Sequence, residues 1–153
     1  QIETVLAANL TPTHLDWHAL RIARKPEIFD VMYKLAREYG LALRVRERPF
    51  IERAQRQGLP ANDHDFLDSY GLETTEKLAL YSRLLRALPA GLSEWAVHPG
   101  SEDAELRAID PRGARVRQAD LDCMVSAFVR EVIQQEGIIL LSYKPLQEIW
   151  RRT

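Results

Sequence analysis

Apolar positions in this sequence recur at two periods, one typical of helices and the other of strands. Residues 26–40 place apolar side chains three and four positions apart, behind Pro26 and ahead of Gly40, and so predict a capped helix. The same spacing predicts helices over residues 75–88 and 120–135, the end of a helix over 1–9, and a short last helix through 150. Short runs predict strands over residues 14–18, 41–46, 92–98 and 138–143. Because helices separate these strands, the strands should pair in parallel, and we predict an α/β fold.

The first predicted strand has one polar face. Side chains alternate along a strand, so His14, Asp16 and His18 share one side, and Leu15 and Trp17 share the other. Two imidazoles and a carboxylate on a buried face are costly unless they bond to one another or to a ligand. The pattern therefore fits a metal or catalytic site, a hydrogen-bonded structural cluster, or an exposed edge strand.

The spacing of the two histidines separates their roles. Four strand residues span roughly 13 Å at ~3.3 Å each, which is too far for both rings to bind one ion through bonds of ~2.1 Å. Ligand sites of parallel sheets lie at the carboxyl ends of the strands. We therefore predict His18 as the candidate ligand and His14 as a supporting residue.

The predicted strand over residues 92–98 also ends in a histidine. Glu94 and His98 share one face, and His98 is the last strand residue before a Pro-Gly turn. That position suits a general acid or base, although histidines at strand ends are commonly structural. On residues 41–46, Arg44 and Arg46 face together, which fits either an anion site or a solvated face.

Composition narrows the classes of partner. The chain has 153 residues, close to one domain of ~150 residues. Its 21 basic and 22 acidic residues give a net charge of −1, which argues against a nucleic acid partner. The longest aliphatic run is far below the ~18 residues that span a bilayer, and no secretory leader is visible, so we expect no membrane partner and a cytoplasmic location. The single cysteine, Cys123, excludes a multi-cysteine metal site.

Two motifs resemble those of one protein family. Residues 12–18, PTHLDWH, resemble the Pro-Thr-His-Leu-Asp-Ser-His motif of the YdjC-like (ChbG/HpnK) carbohydrate deacetylases. Residues 91–100, GLSEWAVHPG, resemble their later Glu-x-x-x-His-Pro-Gly motif, and residues 117–143 are similar to their closing helix and strand. Trp17 replaces the usual Ser, and the histidines that often follow the first motif are absent, so the sugar pocket should differ.

The resemblance implies a distorted, TIM-like (β/α) barrel that removes acetyl groups from N-acetylated sugars with a divalent metal ion, magnesium or zinc. It implies that His18 is a metal ligand and that His98 is an active-site residue, which we assign as the general acid for the leaving amine. The supporting or pocket residues would be His14, Asp16, Arg44 and Glu94.

The N-terminal motifs of the family, an Asp-Asp pair and a Gly-x-His segment, have no match in this sequence. We therefore predict that residues 1–153 are a single partial domain, the C-terminal half of the barrel, and that this half alone is inactive. An eight-stranded barrel typically takes ~250 residues, so the chain should form a homodimer through its open edges or require the missing N-terminal segment. The alternatives are a non-catalytic sugar-binding or scaffold domain and a metal hydrolase of another substrate class.

Overall fold

The structure is a computed structural model that describes residues 1–16, 25–72 and 74–153. These residues form two compact units, one of Gln1–Asp63 with Leu140–Thr153 and the other of His64–Ile139. Each unit contains one two-stranded parallel pair together with helices, which confirms the predicted combination of helices and parallel strands. No helix in the described ranges is both long enough and apolar enough to cross a membrane.

The described helices and strands alternate along the chain as far as β4, and only helices follow it among the described residues. In order they are α1 (Ile2–Ala7), β1 (His14–Leu15), α2 (Pro26–Tyr39), β2 (Ala42–Leu43), α3 (Arg48–Arg56), β3 (Leu67–Asp68), a 3-10 helix (Ser69–Gly71), α4 (Lys77–Arg86), β4 (Trp95–Ala96), α5 (Ala104–Ile109), α6 (Gly113–Val125), α7 (Ala127–Gln135) and α8 (Tyr143–Arg152).

The first unit has an apolar core between α2, β2, α3 and α8. Helix α2 begins with Pro26 and ends at Gly40, whose φ of 61° is the left-handed conformation that glycine adopts at helix ends, as predicted. Phe29 of α2 is fully buried and stacks on Phe50 of α3, with ring centroids 4.4 Å apart. The indole of Trp150 on α8 donates to the Pro60 carbonyl at 3.1 Å, so the last helix closes this core.

The second unit packs α4, α6 and α7 around a smaller core. Its buried members are Tyr81, Leu85, Cys123, Val129 and Val132. Strand β4 lies against this core because the Trp95 ring packs on the Tyr81 ring with centroids 4.4 Å apart. Strands β3 and β4 pair in register, Leu67 with Trp95 and Asp68 with Ala96.

Several elements differ from the sequence prediction. The helix predicted over residues 120–135 is two helices, α6 and α7, because Ser126 between them is extended, with φ −68° and ψ 128°. The predicted strands over residues 14–18, 41–46 and 92–98 are each reduced to two strand residues among those described.

The prediction of a last strand over residues 138–143 is wrong. Residues 138–142 are irregular, and Tyr143 begins α8. A strand needs a hydrogen-bonded neighbour, and the strand pairs of the described residues are β1–β2 and β3–β4. Ile139 and Leu140 are instead 81% and 74% exposed.

Candidate functional site

The end of the β3–β4 pair brings an imidazole to a carboxylate. Asp68 is the last residue of β3 and pairs with Ala96 of β4. His98 lies two residues beyond Ala96 and therefore on the same side of the strand. The His98 Nε2 atom lies 3.2 Å from Asp68 Oδ1, and the two side chains are 31% and 41% exposed. The pair is thus accessible from solvent at the carboxyl end of a parallel strand pair.

The Asp68 carboxylate is itself held in place. Its Oδ1 atom accepts the Tyr70 backbone N–H at 3.0 Å and so caps the 3-10 helix that follows β3. The Tyr70 ring lies edge-on to the His98 ring, with centroids 5.2 Å apart and planes at 78°. The short helix after β3 therefore contributes both an oriented carboxylate and one aromatic wall to His98.

A second carboxylate fixes the Tyr70 side chain. The Tyr70 hydroxyl donates to Asp110 Oδ2 at 3.0 Å, and Arg117 Nε donates to the same oxygen at 3.3 Å. The hydrogen bond from the Tyr70 hydroxyl to Asp110 raises the pKa of Tyr70 above its ordinary value. The Gly113 N–H donates to Asp110 Oδ1 and is the main cause that lowers the pKa of Asp110. A Cβ on Gly113 would collide with Asp110 and with the Tyr70 hydroxyl, so a larger residue at this position would force these two side chains to move.

Asp120 on α6 lies beneath the site as a fully buried carboxylate with several donors. Oδ1 pairs with Lys77 Nζ at 2.6 Å, and both side chains are buried. The remaining donors are the Ser69 hydroxyl at 2.6 Å, the Tyr81 hydroxyl at 2.6 Å and the His98 backbone N–H at 2.8 Å. One buried side chain thus links α4, the 3-10 helix and the segment that carries His98.

Opposing effects act on the ionisation of Asp120. Burial raises the pKa of its carboxyl, but the hydrogen bonds from Lys77, Ser69, Tyr81 and the His98 N–H outweigh burial, so its pKa lies below the usual 3.8. Burial and the hydrogen bond to Asp120 together raise the pKa of Tyr81. Asp120 is therefore a buried anion and Tyr81 a neutral donor to it.

The first unit holds three of the predicted site residues in a separate arrangement. Arg44 follows β2 and Asp16 follows β1, and they form an ion pair with Nη1 and Oδ2 2.8 Å apart. The His14 ring stacks on Tyr143 at 3.9 Å between centroids, and its Nδ1 atom lies 3.0 Å from the Thr13 hydroxyl. The structure thus joins Asp16 to Arg44 and gives His14 an aromatic neighbour.

Two further predicted residues remain. Glu94 is half-buried before β4, and its backbone carbonyl accepts the Leu67 N–H at 3.1 Å. His18, the predicted metal ligand, lies outside the described residues. Within the described ranges, no group of three or more His, Cys, Asp or Glu side chains is arranged to hold a metal ion. Catalytic metal sites normally use three protein ligands, so the described residues do not by themselves fit the predicted metal.

Comparison with known proteins identifies the family. Residues 1–135 match the family model described as YdjC-like protein. The chain belongs to the YdjC-like family. The carbohydrate deacetylase of Thermus thermophilus is 33% identical over 140 residues, which cover 84% of this chain and 52% of that protein. That of Geobacillus stearothermophilus is 27% identical over 149 residues, which cover 97% of this chain and 58% of that protein.

The YdjC-like chain spans about half the length of these curated relatives. A solved structure from Enterococcus faecalis V583, which carries the provisional name cellobiose-phosphate cleavage protein, is similar in fold with a TM-score of 0.71. It is 24% identical, and the alignment covers 95% of this chain and 57% of that one. The family resemblance predicted from the two histidine motifs is confirmed.

Sequence reasoning missed Asp68, Tyr70, Lys77 and the central place of Asp120. Residues 50–72 gave no clear period, so β3 and its terminal aspartate went unpredicted. A usable signal was the acidic Asp68 directly before Ser69, since Asp commonly caps the turn that follows a strand. Asp120 gave no such signal, because its partner Ser69 lies 51 positions away.

Proposed function

We propose that this YdjC-like chain carries part of the active site of a metal-dependent hydrolase that removes acetyl groups from N-acetylated sugars. In this proposal residues 1–153 are the C-terminal half of a distorted (β/α) barrel. The substrate is an N-acetylated sugar or oligosaccharide, and the cofactor is a divalent ion such as magnesium or zinc.

Family membership and the placement of His98 together support the proposal. Two relatives of this chain are named carbohydrate deacetylases. The observation that carries the chemical argument is the half-exposed His98 ring at the end of β4, with its Nε2 atom 3.2 Å from a carboxylate. An imidazole in that setting suits a proton donor to the leaving amine, which an amide bond requires when it breaks.

The test of this role compares two leaving groups in the full-length protein. His98→Asn should lower turnover of an N-acetylglucosamine oligomer by roughly 10²–10⁴-fold, because the leaving amine loses its proton donor. The loss should be much smaller for an activated acetate ester, whose leaving group needs no proton. Equal losses on both substrates would contradict the general-acid role, and an inactive parent protein would contradict the deacetylase proposal itself.

The metal proposal depends on His18 and has a separate test. In a calorimetric titration of the full-length protein with Zn²⁺ or Mg²⁺, His18→Ala should abolish binding. His14→Ala should weaken binding by about 10–100-fold, as is typical of groups that support a ligand. The stacking of His14 on Tyr143 fits such a supporting position. Complete and equal loss from both variants would contradict the assignment of one ligand and one support.

Exposed apolar residues support the proposal that the chain associates with another copy or with a further segment. Ile139 and Leu140 are 81% and 74% exposed, and Leu141 is 55% exposed. Runs of this kind on a surface promote association. Light scattering and a deacetylation assay on the 153-residue chain test this, and a monodisperse monomer that releases acetate from an N-acetylglucosamine oligomer at an enzymatic rate would contradict the proposal.

A further inference from the structure

The contacts of His98 assign a distinct role to each of its two ring nitrogens. We propose that Asp68 is a positioning residue that accepts the Nε2 proton of His98 and leaves Nδ1 as the atom that delivers a proton to the departing amine. The inference rests on the proposed deacetylase function and names a further residue for it.

The pairing of β3 with β4 makes the contact a property of the fold. Asp68 lies opposite Ala96, and His98 lies two residues beyond Ala96, just past the end of β4. The 3.2 Å separation of Nε2 and Oδ1 follows from this register and needs no movement of the backbone.

Three independent contacts restrain the donor. The Asp68 oxygen that faces Nε2 also accepts the Tyr70 N–H, and this second hydrogen bond holds the carboxylate in place independently of the His98 ring. The Tyr70 ring lies edge-on to the imidazole. The His98 backbone N–H is bonded to the buried Asp120. The ring therefore has a defined position, as a proton donor requires for efficient transfer.

The second ring nitrogen is available for chemistry. Within residues 1–16, 25–72 and 74–153, His98 Nδ1 has no hydrogen-bond partner, in contrast to Nε2. As the amide C–N bond breaks, its electron pair moves to nitrogen, which takes the proton from Nδ1. Water adds its oxygen to the acetyl carbon, and the acetyl group leaves as acetate. One proton of that water passes to a general base of the full-length protein, and the other is released when the acetic acid ionises. The neutral imidazole keeps its Nε2 proton directed at Asp68.

The kinetic test uses an isosteric variant in the full-length protein. Asp68→Asn keeps an oxygen that can accept the Tyr70 N–H but removes the negative charge, which weakens the hydrogen bond that holds the proton on Nε2 and so favours the other tautomer. Turnover of an N-acetylglucosamine oligomer should fall by about 10–100-fold, with little change for an activated acetate ester. The matched control is Asp122→Asn, an exposed aspartate of α6 that contacts Gln118. It should leave both rates unchanged.

A double variant separates positioning from a general structural effect. In the His98→Asn background, Asp68→Asn should cause no further loss, because residues that act as one unit are not additive. Additive losses, or equal losses on amide and ester, would overturn the proposal.

A spectroscopic readout does not depend on activity. Nitrogen-15 NMR of the imidazole in neutral His98 should show the proton on Nε2 in the parent protein, and Asp68→Asn should shift the proton toward Nδ1. An unchanged tautomer in the variant, or a proton on Nδ1 in the parent, would overturn the proposal. A parent protein with the expected tautomer but no deacetylase activity would refute the proposed function and leave the Asp68–His98 contact established.

Discussion

The two units of the molecule share one local arrangement of strands and charged side chains, but the arrangement holds different chemical groups in each. Each has a pair of two-residue parallel strands. In each pair an aspartate at the end of one strand, or directly after it, contacts a nitrogen-bearing side chain that follows the other strand. In the first unit Asp16 meets the guanidinium of Arg44, and in the second Asp68 meets the imidazole of His98. A guanidinium keeps its charge at every accessible pH, whereas an imidazole exchanges its proton near neutrality. Only the second pair is therefore suited to proton transfer.

The layers beneath these pairs differ as well. The core of the first unit is apolar and includes Phe29 and Trp150. The second unit instead buries the ion pair of Asp120 with Lys77, and Asp120 also binds the backbone of His98. Burying two charges is costly and is poor evidence for added stability. The comparison suggests that the buried pair serves to fix the segment that carries His98.

The largest expected effect is on the stability of the second unit. Asp120→Ala should lower the free energy of unfolding by about 3–5 kcal/mol, because it leaves the Lys77 ammonium buried without its counter-charge. Asp122→Ala, on the exposed side of the same helix, should change it by no more than about 0.5 kcal/mol. Hydrogen exchange of α4 and α6 amides measures both. Similar values for the two variants would show that Asp120 is not a structural centre.

An intermediate effect is expected from acid. Because the pKa of Asp120 is lower in the folded protein than its usual 3.8, the unfolded chain binds the proton more readily. The stabilisation from Asp120 is therefore present above about pH 4 and is lost as the pH falls through the folded-state value. Protection of second-unit amides followed from pH 6 to pH 3 should fall more steeply in the parent than in Asp120→Asn. Parallel curves would contradict the shift.

The smallest effect is expected at the ion pair of the first unit. A double-mutant cycle of Asp16→Ala and Arg44→Ala should give a coupling energy of about 1 kcal/mol or less, as is usual for ion pairs near the surface. The cycle is needed because each side chain also has other contacts. A coupling of several kcal/mol would show that the first unit, too, depends on its charged pair.

The sequence predicted those elements whose signals are local. Helix α2 was predicted with both of its ends, because Pro26 and Gly40 act through their own backbone conformations. The break at Ser126 was missed because the apolar spacing continues across it and gives no local stop signal. The strand predicted over residues 138–143 is absent because an apolar run becomes a strand only where a partner pairs with it.

In the candidate site, too, the sequence predicted the residue with a local signal and missed the residues that depend on distant partners. His98 was singled out because a histidine before a Pro-Gly turn is visible in the sequence. Its partner Asp68 lies 30 positions earlier and meets it only through the register of β3 with β4. The buried set around Asp120 likewise joins segments 22 to 51 positions apart. Such contacts depend on tertiary packing, which a single sequence does not reveal.

Because Cys123 is buried, its reaction with an alkylating reagent can detect separation of the helices of the second unit. Its side chain is 1% exposed, and burial, together with the nearby Asp120 charge, raises the pKa of the thiol to about 11. The nucleophile in alkylation is the thiolate, so a reagent such as iodoacetamide reacts at this sulfur only when the helices around it separate. Cys123 is the single cysteine of the 153-residue chain. The increase in protein mass over time therefore measures how fast this one sulfur becomes exposed to the reagent. No engineered cysteine is required.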